Sequence, residues 1–374
     1  MTGLILKSLE IENFRGFKHI DINRLGRVNL IVGKNNVGKS SLLEALAIYA
    51  RKGAPSLLWD LLEARNESSR LRAINRNPQD VQNKVLEIKY LFYGRPEIED
   101  EITRIKIKIG PKGNTDDSLY LELDWYAAQV DEQGLRRLQP LLSREFASAD
   151  NLVLGLAAKS GKGTENVFRL DRYVDARRTI QPEPTGVRYV FVPANGLDAE
   201  VVGAFWDNIT LTNLQQQVIN ALKIVEPRVE GLNLIIAPEQ RNERIPVIKI
   251  ANSDGRIPLR SMGEGMNRML GIALAISNAA DGLLLIDEIE SGLHYSVQLE
   301  MWRLILQAAR RLNVQVFATS HSWDCIEAFQ KATLEDKKEE GVLIRLGRIK
   351  EDIVATAFDE RELGIATRDQ IEVR

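Results

Sequence analysis

The chain has 374 residues, 44% hydrophobic and 27% charged, a balance that suits folded globular domains and excludes a disordered chain. With 50 Lys and Arg against 52 Asp and Glu, the formal charge of −2 excludes a polybasic nucleic-acid coat, although a local basic face remains open. One cysteine rules out an internal disulfide framework, and with only three histidines beside it there is little material for a structural zinc site.

The opening MTGLILKSLEIENF turns charged too early for a signal peptide. Leu4 to Ile11 and Phe17 to Ile22 have the short β pattern, and Val28 to Val32 is a compact buried strand. A glycine-bounded loop follows, then a helix from Ser41 to Ala50 with Leu42, Leu43, Leu46 and Ala50 at helical spacing. The middle changes character: VLEIKYLFY from Val85, ITRIKIKI from Ile102 and SLYLELDWY ending at Tyr126 are β-patterned runs in succession. Loops GPKGNTDD (110–117), KSGKGTE (159–165) and QPEPTG (181–186) punctuate this region, and a helix is predicted from Thr212 to Val225. Toward the end, Met262 to Ala279 reads as helix, Leu283 to Ile286 as buried strand, Val297 to Leu312 as helix and Val314 to Ala318 as strand. The apolar stretch near 269–286 is broken by Ser277, Asn278 and Asp281, so no membrane span is expected and a cytoplasmic location follows. Strand and helix alternating at both ends imply an α/β fold with a parallel sheet covered by helices. Residues 1–94 and 251–374 are expected to form one core, with 95–250 inserted between them as a mixed lobe. There is no internal repeat and no sustained heptad pattern.

Gly33-Lys34-Asn35-Asn36-Val37-Gly38-Lys39-Ser40 fits G-x-x-x-x-G-K-[ST] once in the chain. Its glycines let the backbone turn so that successive N–H groups face phosphate oxygens at the start of a helix, which continues into Ser41. Lys39 would reach the β- and γ-phosphates of ATP and the Ser40 hydroxyl would hold Mg²⁺. Leu283-Leu284-Leu285-Ile286-Asp287-Glu288 ends a buried strand on two carboxylates, delivering Asp287 to the metal and Glu288 to a water. Many buried strands end in acidic turns, so the weight of this pattern comes from its company. Before it stands Ser261-Met262-Gly263-Glu264-Gly265, opening a helix, and after it His321 follows the strand VQVFATS.

This set resembles the ABC-type ATPases of the SMC, RecF and OLD (overcoming-lysogenization-defect) branch, and among them most closely the OLD-like ATPases. The resemblance covers about 1–50 and 255–330. It implies an ABC-type P-loop NTPase with a mixed β-sheet core flanked by helices. GKNNVGKS is then similar to the Walker A, LLLIDE to the Walker B, SMGEG to the signature loop, Ser291-Gly292-Leu293-His294 to the D-loop and His321 to the switch histidine. ENFRGFKHIDI resembles the branch's opening strand pair, in which Arg15 would approach the nucleotide. By the same resemblance, Ser261, Gly263, Glu264 and Gly265 meet the γ-phosphate held by a second subunit, giving a homodimer around two ATP molecules. The signature reads SMGEG where transporter-type proteins have a Ser-Gly-Gly-Gln run, so Glu264 is assigned by position. Gln79 and Gln82 are both open as the Q-loop glutamine.

Arg104, Lys106 and Lys108 alternate with isoleucines and Lys112 extends the series, which reads either as a phosphate-binding face or, more commonly, as a solvated face over a core. Arg177-Arg178 and Arg310-Arg311 decide nothing. Met262, Met266 and Met269 read as packing or a subunit contact, Cys325 as a buried thiol, Trp206, Trp302 and Trp323 as core or interface, and His19 as without a role. Three functions remain. The first is an OLD-like sensor or motor ATPase of an anti-phage defence or DNA-processing system. The short stretch after His321 lacks room for a TOPRIM nuclease, so that reading expects a separately encoded effector. The second is a RecF-like ATPase that clamps DNA in repair or recombination. The third is a nucleotide-controlled scaffold with negligible turnover, against which Glu288 and His321 argue.

Overall fold

The structure, a computed structural model, describes residues 3–68, 78–98, 105–130, 136–140, 152–161, 163, 165–174, 186–236, 244–253, 255–336, 340–358 and 362. The N-terminal part runs β1 (Leu9–Phe14), β2 (Phe17–Ile22), β3 (Val28–Val32), α1 (Lys39–Ala50), α2 (Pro55–Ala64) and α3 (Pro78–Leu86). Next come β4 (Ile105–Gly110), β5 (Leu119–Val130), β6 (Arg136–Pro140), β7 (Leu152–Ser160), β8 (Glu165–Arg169) and β9 (Tyr189–Val192). Then follow α4 (Ala199–Ile209), α5 (Asn213–Leu222), β10 (Val229–Ile236), β11 (Arg244–Ile250) and β12 (Ile257–Pro258). The C-terminal part holds α6 (Glu264–Asn278), β13 (Leu283–Ile286), α7 (Tyr295–Arg311), β14 (Gln315–Ser320), α8 (Trp323–Asp336), β15 (Gly341–Ile349) and β16 (Asp352–Phe358).

The central sheet has the order β16-β15-β3-β14-β13-β9, parallel throughout except for β16 on the edge. Its strands are short apolar runs because both faces are covered. Alternate residues of one strand therefore serve two cores: Leu284 and Ile286 pack with α4 to α8, while Leu283 and Leu285 pack with α1 and a second sheet. Each such side chain contributes about 1.5–3 kcal/mol by leaving water. The second sheet is antiparallel, in the order β2-β1-β4-β5-β7-β8 with β6 on β5, and the third holds β10, β11 and β12.

Residues 95–250, expected as a mixed lobe inserted between the two core parts, contribute strands to all three sheets. Strand β4 continues the hairpin of β1, with Ile109 opposite Ile11, and β9 lies beside β13 in the central sheet. Apolar faces on β4 and β5 complete the core under α1, so the middle of the chain belongs to the layers that position the site.

Two local expectations change. VLEIKYLFY is not a strand: α3 ends at Leu86 and a 3-10 turn spans Glu87–Leu91. Val85, Ile88 and Leu91 are buried, and that spacing of three residues matches one face of a 3-10 turn. The first strand begins at Leu9, not Leu4, because the backbone of Leu6 is satisfied by a side chain. Gln315 Oε1 accepts from Leu6 N (3.0 Å), and Gln315 Nε2 donates to Leu6 O (2.7 Å). Elsewhere the agreement is close, with Thr212 capping α5 through Leu214 N (3.2 Å).

Met266, Met269, Trp206 and Trp302 are buried. Trp302 meets Phe329 edge-on at 4.8 Å, and Trp323 is half-buried against the same core, its Nε1 donating to Glu327 (2.6 Å). Burial pushes the Cys325 thiol up to about 12, in keeping with a structural role. No described helix is long and apolar enough to cross a membrane.

Candidate functional site

Strand β3 delivers the chain to Gly33 and α1 takes it up at Lys39. Gly33 (φ 148°) and Gly38 (φ 89°) adopt backbone that disfavours a side chain. A Cβ at Gly33 would lie 2.4 Å from Leu346 O, and one at Gly38 2.6 Å from the Phe17 ring. Lys34, Asn35 and Asn36 are exposed, whereas Val37 anchors the loop in the core. The first turn of α1 has neither an acidic residue nor a side-chain cap, which suits an anion at its N-terminus. Lys39 Nζ donates to Gly33 O (2.7 Å) and Lys34 O (3.0 Å) within the loop's turn. Burial lowers the Lys39 pKa, while the charges of Asp287, Glu288 and Glu290 oppose that shift.

Parallel strands β9, β13 and β14 end at one edge, beside this loop. Ser40 Oγ donates to Asp287 Oδ2 (2.9 Å) and Thr319 Oγ1 to Asp287 Oδ1 (2.6 Å). Thr319 Oγ1 also accepts from Glu288 N (2.8 Å), and Asp287 N donates to Val192 O (2.9 Å). Lys39 and Ser40 thus share one cradle with Asp287 from far along the chain. The hydroxyl of Ser40 and the carboxylate of Asp287 form an oxygen-only pair that fits Mg²⁺, which prefers few protein oxygens and retains waters.

Glu288 sits at φ 47°, a left-handed conformation that turns the chain sharply after the strand at a cost of about 1–2 kcal/mol. Its side chain is 44% exposed and that of His321 56%, with His321 Nδ1 3.9 Å from Glu288 Oε1. Three residues hold this turn that sequence reasoning did not single out. Thr319 is one. Arg268 of α6, 3% exposed, is the second. It donates to the carbonyls of Pro193 (2.7 Å), Asp287 (2.5 Å) and Glu288 (2.8 Å). Burial lowers the Arg268 pKa, opposed by the carboxylates of Glu290, Asp287, Glu288 and Glu264. The third is Glu290, whose Oε1 accepts from Ser320 Oγ (2.8 Å), His321 N (3.0 Å) and Ser322 N (3.2 Å). The available signal was the cluster of hydroxyls around His321 in ATSHS, with a third acid two residues beyond Glu288.

The signature loop lies at the surface. Ser261 is in a 3-10 turn and donates from Oγ to Pro258 O (2.6 Å), Gly263 (φ 92°) breaks the chain before α6, and Ser261, Gly263 and Glu264 are exposed. Behind them, Gly265 approaches the D-loop closely: a Cβ there would be 3.0 Å from Gly292 O. His294 caps α7, accepting at Nδ1 from Ser296 N (3.4 Å).

Arg15 is placed differently from expectation. Its guanidinium pairs with Glu44 of α1 (2.5 Å) and with Glu67 (2.7 Å), and Glu44 also holds Arg65 (2.7 Å), which donates to Ser41 Oγ (3.1 Å). A buried guanidinium needs carboxylates, and here they brace the back of α1 instead of leaving Arg15 to meet a phosphate. Burial pushes the Glu44 carboxyl up, while Arg15 and Arg65 oppose it. The basic strand is neutralised likewise. Lys108 bridges Glu10 (2.7 Å) and Glu12 (3.1 Å), Lys112 pairs with Asp21, and Lys106 lies over the Tyr120 ring at 4.4 Å. Arg104, Arg177 and Arg178 lie outside the described residues. Gln82 is exposed on α3, whose helix also carries Gln79, whereas the loop leaving β9 beside Asp287 is Pro193-Ala194-Asn195 and holds no glutamine.

A family model described as an AAA ATPase domain matches residues 5–159 and 205–326. A Helicobacter pylori protein named ATP/GTP phosphatase is 22% identical over 361 residues, covering 88% of this chain and 89% of its own. The DNA replication and repair protein RecF of Clostridioides difficile is 46% identical over 41 residues, 11% of this chain and 11% of its own, a local match. Among solved structures, an Smc head bound to the C-winged helix domain of ScpA aligns over 94% of this chain and 97% of its own. The TM-score is 0.50 at 14% identity, a likeness of fold.

Proposed function

We propose that this chain, which belongs to the AAA ATPase domain family, is the sensor or motor subunit of an OLD-like defence or DNA-processing system, closing as a homodimer around ATP and acting on a separately encoded effector. ATP hydrolysis on an ABC-type P-loop fold is the chain's own activity. In this reading the loop N–H groups and Lys39 hold the β- and γ-phosphates. Ser40 and Asp287 would hold Mg²⁺, which would supply positive charge to the bound phosphates. Glu288, half-exposed beside the cradle, takes a proton from the attacking water, and His321 steadies the γ-phosphate oxygens.

The observation that carries the dimer is the exposed row Ser261, Gly263 and Glu264 at the N-terminus of α6, anchored from behind on the D-loop and through Arg268. Glycine backbone and a helix N-terminus facing outward suit a phosphate bound to a second copy. Among the described residues, Glu10, Glu12 and His19 are spaced to hold a metal, and Lys108 already bridges the two acids. Light scattering on Glu288→Gln with saturating ATP tests the dimer: mass should double relative to the nucleotide-free chain, and a monomer at saturation would overturn it.

The local likeness to RecF supports a second reading, a DNA clamp. The paired state of Lys108 and Lys112 weighs against it. ATP-dependent, salt-sensitive duplex binding that disappears in Lys106→Glu/Lys108→Glu would favour the clamp.

A further inference from the structure

Glu290 is a buried carboxylate at the site that the hydrolytic scheme leaves unused. It is 8% exposed, on the turn between β13 and α7, and one of its oxygens gathers three donors from the turn between β14 and α8. That same Oε1 is 3.5 Å from His321 Nδ1, nearer than Glu288 at 3.9 Å. The imidazole therefore stands between two acids that differ in access. Glu288, 44% exposed, can meet a water; Glu290, 8% exposed, cannot.

We propose that Glu290 is the positioning residue for His321: it ties residues 320–322 to the Walker B turn and takes the Nδ1 side of the ring, so that Nε2 is the nitrogen presented to the nucleotide. This rests on Glu288 and His321 being the groups that act in hydrolysis. Three charge-assisted hydrogen bonds on one carboxylate oxygen are stronger than neutral ones and fix the backbone of residues 320–322, while the same oxygen stands 3.5 Å from Nδ1 of a ring that is itself 56% exposed. Without them the imidazole would sample several rotamers, and an error of about 1 Å at a reacting group costs on the order of a hundredfold in rate. The charge of Glu290 also acts on Lys39 and Arg268, and the background lacking His321 separates those effects from its hold on the histidine.

A kinetic cycle tests this on the full chain, with steady-state phosphate release measured for wild type, Glu290→Gln, His321→Ala and the double variant. Glu290→Gln should lower kcat about tenfold or more with KM for ATP within about twofold, and should change kcat less than about twofold once His321 is alanine. A smaller fall in the wild-type background, a matching rise in KM, or an equal fall in both backgrounds would overturn it, because a residue that only supports the fold acts whatever stands at 321. Should Glu290→Gln not fold, Ser320→Ala, which removes one of the three donors, carries the same cycle; failure of both to fold assigns Glu290 to the core and also overturns the proposal. If His321→Ala alone leaves kcat unchanged while Glu288→Gln abolishes it, the histidine assignment fails first and takes the proposal with it.

Discussion

The cradle and the signature edge are both assembled on glycine turns ahead of helices, yet they are held in opposite ways. In the cradle each acting group has a partner inside the chain: Lys39 on the loop carbonyls, Ser40 on Asp287, Asp287 on Thr319, and Glu288 fixed through its backbone by Thr319 and Arg268. At the signature edge the rear is held and, in front, the Ser261 hydroxyl is tied to Pro258 O. Gly265 lies against Gly292 and Arg268 reaches the Walker B carbonyls, while Ser261, Gly263 and Glu264 face solvent. A preorganised pocket ahead of α1 and an open edge ahead of α6 suit the proposed site shared between two copies.

The largest effect should come from the cradle. Glu288→Gln keeps the shape of the side chain but removes the proton acceptor, so kcat should fall about 10²- to 10⁴-fold with ATP binding retained. A parallel loss of nucleotide affinity, read by equilibrium titration, would blur the distinction drawn between binding and chemistry. Arg268→Ala attacks the link between the two regions. It strands the carbonyls of Pro193, Asp287 and Glu288, and unfolding should become easier by roughly 2–4 kcal/mol, seen as a lower denaturant midpoint. Ser261→Arg addresses the edge alone: kcat should drop about tenfold while ATP affinity and melting temperature hold, and loss of ATP binding by the monomer would place Ser261 in its own cradle instead. The smallest effect concerns Cys325. Its thiol, pushed up to about 12 by burial, keeps its proton in the folded chain between pH 9 and 12, where the unfolded chain releases it. Stability from this group is therefore full below pH 9 and declines as pH rises toward 12. At pH 8, thiol labelling of the native chain should be on the order of a hundredfold slower than in denaturant.

The legible parts of the site were those in which one short stretch performs one task. GKNNVGKS turns where its glycines demand, and LLLIDE is a strand ending on acids in the structure as in the sequence. Arg15 and Lys108 were ambiguous because a cation in a strand or turn looks the same whether it faces a phosphate or a carboxylate. Only the placement of Glu44, Glu67, Glu10 and Glu12 separates the two cases. VLEIKYLFY misled for a different reason: over so few residues, burial at every third position and alternation share several apolar sites.

By itself the sequence determined the backbone turns, the apolar runs of the central strands, and the chemical types gathered at the cradle. Those depend on neighbours a few residues away, through steric limits on φ and ψ and the period of burial. The tertiary structure decided that Thr319 would clamp Asp287, that Arg268 would brace the Walker B turn from another helix, that Glu290 would lie under His321, and that the middle of the chain would contribute strands to all three sheets. Each of these couples segments brought together by strand order, and strand order is settled by how whole faces pack, which no local stretch of sequence contains.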